Sequence, residues 1–296
     1  MPDGLVLVTG ATGHVGSRLV PELVRSGRRV RALSRSEQEP ADGVEWAVGD
    51  VADRASLDAA LDGVDAAYYL VHGLADTDGL EDVERDGART FAASARASAV
   101  GRVVYLGGLA HGDDLSPHLR TRREVGEILR ADGPPTVELQ ASVIVGDGSA
   151  SFELIRTLVD SLPALVLPDW VETPCQPIAV DDVVAYLVAA LDLELDGPAV
   201  FEIGGADRVT YAELIDAYGD AVGKARPTLT LPALPVPLPD LLARVAPEQA
   251  RVWLKLAEGL RFDSTVRDPA AATAFAVEPR GMRDAIAAAL GHTVTS

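Results

Sequence analysis

Residues 5–16 read LVLVTGATGHVG, in which an apolar run leads through a glycine-rich turn into a helical pattern. Gly10 lets the chain turn sharply, Gly13 leaves room for the backbone to approach a pyrophosphate, and Gly16 lets a helix pack closely on the strand. Amide groups at the start of that helix face an anion favourably. Strand, turn and helix in this order predict a dinucleotide-binding site, although three glycines so spaced could also form a structural turn. The residues expected to contact the cofactor here are Gly10, Thr12, Gly13, His14, Val15 and Gly16.

The end of the second apolar run reads RALSRS, where an NAD-specific fold usually carries an acidic residue for the ribose hydroxyls. Ser34 and Arg35 stand there instead. A guanidinium binds a 2′-phosphate well, whereas a carboxylate would repel it. The pattern therefore predicts NADP, with NAD less favoured, unless Arg35 is simply a solvated surface residue.

A third signal is Gly49-Asp50-Val51, which follows the next apolar run. Asp50 could reach the adenine amino group, with Val51 beside it, and both are expected to bind the cofactor. A simple turn before a helix explains the same residues almost as well.

Short β-rich runs alternate with helical stretches through the first half of the chain, which is typical of a doubly wound parallel Rossmann sheet in an α/β protein. The alternation loosens after residue 150. We therefore expect residues 1–150 to form the NAD(P)-binding domain, and residues 151–296 to form mostly a small C-terminal substrate lobe. Segments near 176–193 and 199–205 are expected to return to the first domain. The predicted strands are Leu5–Thr9, Arg29–Leu33, Val44–Val48, Ala66–Val71, Arg102–Leu106 and Val137–Val145.

Composition limits the partners and the compartment. The 296 residues carry a formal charge of −19, which repels phosphate backbones, so nucleic acid is not an expected partner. A single cysteine, Cys175, excludes an internal disulfide, and no metal cluster stands out among the five histidines. No stretch approaches the apolar length needed to span a bilayer, and the first apolar run is too short for a signal peptide. We expect a cytoplasmic protein with a small-molecule substrate; a monomer and a homodimer both remain open.

An ordered set of motifs resembles the short-chain dehydrogenase/reductase superfamily, in its atypical or extended branch of NAD(P)H-binding, NmrA-like and epimerase-like proteins. The resemblance implies that Leu70, Val71 and His72 lie along the ribose and nicotinamide of the cofactor. It also implies that residues 176–182 return to the sheet beside the substrate site. Besides the glycine turn, the motifs are GDV (49–51), AYYLVHGL (67–74), VVYLGGL (103–109), SPHLRTRREVGEIL (116–129), QPIAVDDVVAYL (176–187) and FEIGG (201–205).

Active members of that superfamily carry a Ser after the fifth strand and a Tyr and Lys four residues apart on the next helix. Residues i and i+4 share one helical face, so the Lys can lower the pKa of the Tyr that passes a proton to the substrate. This chain has Gly107 and Gly108 at the strand end, and His118 and Arg122 on the helix. His118 is a candidate proton donor and Arg122 a candidate ligand for a ribose or substrate oxygen. Alternatively, His118 is a surface residue in the first helical turn, and Arg122 is a partner for Glu124 or for the neighbouring loop.

Further residues are expected to line the substrate pocket. Tyr69, His111 and Asp113 lie at strand ends that rim the cleft, although a core tyrosine and polar loop residues would explain them too. Trp170 and Gln176 lie around a proline-bounded segment that could line an apolar pocket. Cys175 has no basic partner nearby in sequence, which argues against a nucleophile.

Two functions of different classes follow. The first is an NADP-dependent oxidoreductase that acts on a small carbonyl-like or unsaturated substrate without the usual Ser, Tyr and Lys. The second is a non-catalytic NADP(H)-binding redox sensor, which the missing residues favour. A nucleotide-sugar epimerase is a weaker third, because that chemistry relies on the same Tyr.

Overall fold

A computed structural model describes residues 4–72, 79–194, 196–231, 240 and 249–291. Its centre is a seven-stranded sheet in which every neighbouring pair is parallel, as predicted for a doubly wound Rossmann fold. The strand order is β11-β6-β5-β4-β1-β2-β3, so the chain reverses direction across the sheet at β1. The strands are β1 (Leu5–Thr9), β2 (Arg29–Ser34), β3 (Val44–Val48), β4 (Ala66–Tyr69), β5 (Arg102–Gly108), β6 (Thr136–Ala141) and β11 (Ala199–Ile203).

Helices cover both faces of this sheet. Along β1, Val6 and Val8 belong to one apolar core with helices α1 and α6, whereas Leu5 and Leu7 belong to a second core with helices α2 to α4. Alternate side chains of a strand point to opposite faces, so a fully apolar strand is what two helical layers require. The helices of the whole described chain are α1 (Gly16–Arg25), α2 (Arg54–Ala60), α3 (Leu80–Ala97), α4 (Pro117–Asp132), α5 (Ala150–Ser161), α6 (Val180–Ala190), α7 (Tyr211–Ala221), α8 (Ala250–Gly259), α9 (Ala270–Ala274) and α10 (Met282–Ala289).

The second half of the chain builds a third core, around Phe152, Leu214, Trp253 and Ile286. Three two-stranded pairs accompany it: β7 with β10, β8 with β13, and β9 with β12. The chain also returns to the main sheet, since β11 pairs with β6 in parallel along its whole length. The short strands are β7 (Ile144–Val145), β8 (Leu165–Pro168), β9 (Pro174–Cys175), β10 (Ile178–Ala179), β12 (Val209–Thr210) and β13 (Thr228–Leu231).

Four of the predicted strands end elsewhere in the structure. Two of them are longer, since β2 continues to Ser34 and β5 to Gly108, and the other two break earlier than predicted. The run Val137–Val145 divides into β6 and β7, because Ser142 donates its amide to Ile203 while Ile144 and Val145 pair with β10 instead. In the predicted run Ala66–Val71, the strand itself ends at Tyr69. The next residue, Leu70, donates its backbone amide to the Thr9 hydroxyl. Both breaks occur where the chain leaves the sheet to line the cleft described below.

No described helix is both long enough and apolar enough to cross a membrane. Residues 73 and 74, which end the AYYLVHGL motif, lie outside the described residues. So do residues 232–239, which make up most of a proline-rich stretch at 227–239.

Candidate functional site

A cleft of about 860 Å³ opens at the carboxyl ends of the parallel strands. It spans the point where β1 lies between β4 and β2, which is where ligands bind in open α/β sheets. Each residue predicted to contact the cofactor lines this cleft. They are Gly10, Thr12, Gly13, His14, Val15, Gly16, Ser34, Arg35, Asp50, Val51, Leu70, Val71 and His72.

The glycine turn, here named the glycine cradle, comprises Gly10, Gly13 and Gly16, and it leaves no room for side chains at Gly10 and Gly16. Gly10 has a φ of +68°, and a Cβ there would lie 2.8 Å from the Leu70 carbonyl oxygen. A Cβ on Gly16 would overlap the Gly10 carbonyl oxygen. The Gly13 amide donates to that same oxygen over 3.0 Å, which closes the turn before α1 begins. The cradle thus fits a diphosphate at a helix N-terminus, the arrangement that dinucleotide sites use.

His14, within this turn, is linked through Arg18 to the segment that follows β7. Arg18 lies 3.1 Å from His14 Nδ1 and donates to the backbone oxygens of His14 and Asp147. Arginine can only donate, so Nδ1 accepts and the ring proton resides on Nε2. Burial, followed by the charge of Arg18, lowers the pKa of His14 to about 4. A neutral His14 therefore lines the cofactor side of the cleft.

At the β2 and β3 end of the cleft, Arg35 is exposed, and no described residue lies within ion-pair or hydrogen-bond distance of its guanidinium. The buried Ser34 hydroxyl accepts from the Ser36 amide and the Gln38 side chain, which holds the loop after β2. Asp50 Oδ1 accepts from the Ala52 amide at 2.9 Å. Asp50 thus makes the turn proposed as its alternative role and lines the cleft as well.

His118 and Arg122 both project from α4 into the cleft at the end of β5. Arg122 donates to the Leu106 carbonyl at 2.8 Å, and its own carbonyl accepts from the Tyr105 hydroxyl. The suggested pairing of Arg122 with Glu124 is wrong, because Glu124 pairs with Arg85. The suggested surface position of His118 is wrong too, since its half-buried side chain lines the cleft.

Two further observations define the state of these groups. Burial, then the charges of Arg122 and Lys255, lowers the pKa of His118 to about 4, so the imidazole is neutral at pH 7. His72 opens onto the same cleft, and its pKa is lowered by the surrounding protein atoms, then by Arg122 and His118. Arg122 and Lys255 are therefore the cations that act on the neutral His118 imidazole.

The residues predicted for the substrate pocket are mostly placed elsewhere. Tyr69 lines the cleft, but its ring is buried against Phe91 and Tyr105. His111 bonds through Nε2 to the Thr265 carbonyl, and Asp113 is exposed outside the cleft lining. Trp170 packs on the core of the second half and does not line the cleft.

Gln176 lies outside the lining as well, because its side chain joins three segments: it donates to the Gly205 carbonyl and accepts from the Val266 amide. Cys175 beside it is fully buried, and burial raises the pKa of its thiol, which leaves it unreactive. Within the described parts of the chain, no group of three metal-ligating side chains is present.

The cleft also contains residues that the sequence did not indicate. Ser142, Tyr211 and Ser264 line its inner wall as three hydroxyl groups. They belong to β6–β7, α7 and the segment after α8, which no local motif connects. Apolar residues also line the cleft: Leu119, Val143, Leu256 and Leu260.

Comparisons with known proteins agree with this geometry. A family model described as NAD(P)H-binding matches residues 10–143. The sterol demethylase protein B of Methylococcus capsulatus is 29% identical over 259 residues, which cover 76% of this chain and 77% of that protein. The ceramide reductase of Caulobacter vibrioides is 29% identical over 236 residues, covering 76% of this chain and 73% of that protein.

Among solved structures, the enzyme WbmG of Bordetella bronchiseptica, in complex with NAD, superimposes with a TM-score of 0.74 at 16% identity. The match covers 98% of this chain and 93% of that one. At this identity the likeness concerns the fold alone.

Proposed function

We propose that this chain is an NADP-dependent reductase of the atypical, extended short-chain dehydrogenase/reductase type, which acts on a small carbonyl-like or unsaturated substrate. The observation that carries the proposal is that His118 and Arg122 reach into the cleft whose other end contains the predicted cofactor residues. Both lie beside the end of β5, where the family places its reacting groups.

The cofactor would be held mainly by backbone and by one cation. The glycine cradle takes the diphosphate, Arg35 the 2′-phosphate, and Leu70, Val71 and His72 the nicotinamide side. Arg35 is suited to bind the 2′-phosphate because no described acidic side chain neutralises its positive charge, although the chain as a whole has a net charge of −19. When bound, NADPH supplies a hydride to an electrophilic carbon of the substrate.

His118 would act as a hydrogen-bond donor rather than as a charged acid, since its imidazole is neutral at pH 7. It would donate to the substrate oxygen on which negative charge develops, and Arg122 would stabilise the same charge from its fixed position. Water reaching the open cleft would supply the proton that completes the alcohol. Residues 1–150 would thus hold the cofactor, and residues 151–296 would mostly enclose the substrate.

The substrate side of the cleft favours an apolar molecule, because Leu119, Val143, Leu256 and Leu260 line it. The curated relatives named above carry sterol and ceramide in their names, which agrees with such a pocket.

The test is to incubate the protein with NADPH and a panel of aldehydes, ketones and enones, and to follow the absorbance of the reduced cofactor. We expect turnover with at least one apolar carbonyl compound, and a loss of that turnover of about 100-fold in His118→Ala and in Arg122→Ala. Turnover that both variants retain would contradict the assignment of these residues.

A second candidate is a non-catalytic redox sensor. It is favoured by Gly107 and Gly108 in place of the family's Ser, and by the absence of the Tyr and Lys from α4. Tight NADPH binding with no turnover on any member of the panel would select this function over the reductase.

A further inference from the structure

Three hydroxyl groups from distant parts of the chain meet in one hydrogen-bonded row, here named the hydroxyl chain: Ser142, Ser264 and Tyr211. Ser142 Oγ lies 3.0 Å from Ser264 Oγ, and Ser264 Oγ lies 3.3 Å from the Tyr211 hydroxyl oxygen. All three residues are buried, with exposed fractions of 3% to 4%, yet all three line the cleft. They therefore face the ligand space without contacting bulk solvent.

A count of protons shows that the hydroxyl chain has one donor to spare. Each hydroxyl carries one proton, and the two bonds inside the chain use two of the three. Ser142 Oγ is also an acceptor, because the Gln176 amide donates to it at 3.1 Å. Within the described residues, these hydroxyls have no further acceptor. One O–H of the three is thus left without an acceptor inside the hydroxyl chain.

The apolar surroundings of the unpaired O–H make it favour ligands that carry an oxygen atom. A buried O–H without an acceptor costs free energy, so a ligand that supplies an oxygen gains relative to one that does not. Val143, Leu256 and Leu260 line the same cleft, and no charged side chain belongs to the hydroxyl chain. Burial also raises the pKa of Tyr211, which keeps its hydroxyl protonated and able to donate.

We propose that the hydroxyl chain is a substrate-binding subsite that donates a hydrogen bond to a carbonyl or hydroxyl oxygen of an otherwise apolar substrate. This inference deepens the proposed reductase function and rests on it. Tyr211, Ser264 and Ser142 thereby select oxygen-bearing molecules over hydrocarbons of the same shape, and Gln176 positions Ser142 through its backbone amide.

The experiment uses the full chain loaded with NADP⁺ and two probes of matched shape, cyclohexanone and methylenecyclohexane. Dissociation constants are measured by ligand-detected NMR. We expect Tyr211→Phe and Ser264→Ala to weaken cyclohexanone binding by about tenfold, the worth of one hydrogen bond, and to leave methylenecyclohexane binding unchanged. The matched control is Tyr218→Phe, which removes a buried hydroxyl from the same helix outside the cleft lining and should change neither constant.

Any of three results would overturn the subsite proposal: the variants weaken the binding of both probes equally, they weaken the binding of neither, or cyclohexanone does not bind the unaltered protein. The NADPH oxidation assay is run in parallel. If the variants lose ketone binding selectively but the unaltered protein turns over no member of the carbonyl panel, the reductase proposal is contradicted and the subsite proposal is supported.

Discussion

The guanidinium of Arg122 lies over Gly108, with its Nε 3.1 Å from the point that a Cβ on Gly108 would occupy. The glycine at the end of β5 and the arginine on α4 therefore depend on each other. A family-type Ser side chain at position 108 would compete with Arg122 for the same space. Gly107 is limited in the same way, since a Cβ there would lie 3.0 Å from the buried Glu138 carboxylate.

Gly108→Ser should displace Arg122 from its bond to Leu106 and lower NADPH turnover by about tenfold or more, because the cation no longer stabilises the developing charge. Turnover and the NADPH dissociation constant are measured together, and the latter should change little. Gly197→Ser, where nothing lies within 4 Å of the added Cβ, is the control. Full activity in Gly108→Ser would show that the position of Arg122 is irrelevant to turnover.

Arg35→Asp should weaken NADPH binding by about tenfold or more and NADH binding much less, because the 2′-phosphate loses a cation and meets a carboxylate. Calorimetric titration of both coenzymes measures the difference, which should shrink at high salt. Arg29→Asp makes the same charge change at the opposite end of β2 and should alter neither affinity. Equal losses for both coenzymes in Arg35→Asp would refute the role of Arg35.

The activity should show no ionisation of His118 near its ordinary pKa of 6.5. Since burial and Arg122 hold that pKa at about 4, the neutral donor persists throughout pH 6–8. The pH profile of kcat/KM and an NMR titration of the histidine rings measure this directly. A His118 resonance that titrates between pH 6 and 7 would contradict it.

The lowered pKa of His118 also makes folding stability depend on pH. His118 binds a proton less readily in the folded chain, at about 4, than in the unfolded chain, at 6.5. Its contribution is therefore complete above pH 6.5 and is lost as the pH falls towards 4. We expect urea midpoints to fall less between pH 7 and pH 5 in His118→Gln than in the unaltered protein. An identical fall in both would count against the buried neutral state.

Gly16→Ala should lower the free energy of unfolding by about 1–3 kcal/mol, because the added methyl overlaps the Gly10 carbonyl oxygen and pushes α1 off β1. Chemical denaturation measures the change, and cofactor affinity should fall with it. Gly197→Ala adds a methyl where nothing lies within 4 Å and should stay close to the unaltered protein. Similar values for the two variants would mean that the cradle is not tightly packed.

The cofactor half was predictable because its signals are local. The spacing of Gly10, Gly13 and Gly16 encodes a turn whose contacts lie within a few residues, and the alternating apolar runs encode the parallel sheet. The α/β fold class is confirmed, and the NAD(P)H-binding family model matches residues 10–143. The role of Arg35 in binding the 2′-phosphate stays a prediction.

The substrate half was less predictable because its contacts join residues far apart in the chain. Gln176 bonds to Gly205 and Val266, and Ser142 meets Ser264 across 122 positions, so no spacing rule identifies either contact. Strand ends were misjudged for a related reason. Apolar residues such as Ile144 and Val145 satisfy a strand pattern, but tertiary pairing with β10 decided which sheet they join.

The late position of β11 in the chain bears on biosynthesis. During synthesis, β6 leaves the ribosome more than fifty residues before Ala199–Ile203. Until those residues are made, the backbone N–H and C=O groups on the outer edge of β6 can pair with a strand of another molecule. A polypeptide that stops at residue 150 would keep that edge permanently bare. Nascent chains of this protein are thus exposed to aggregation during a defined interval of translation, which chaperone binding would need to cover.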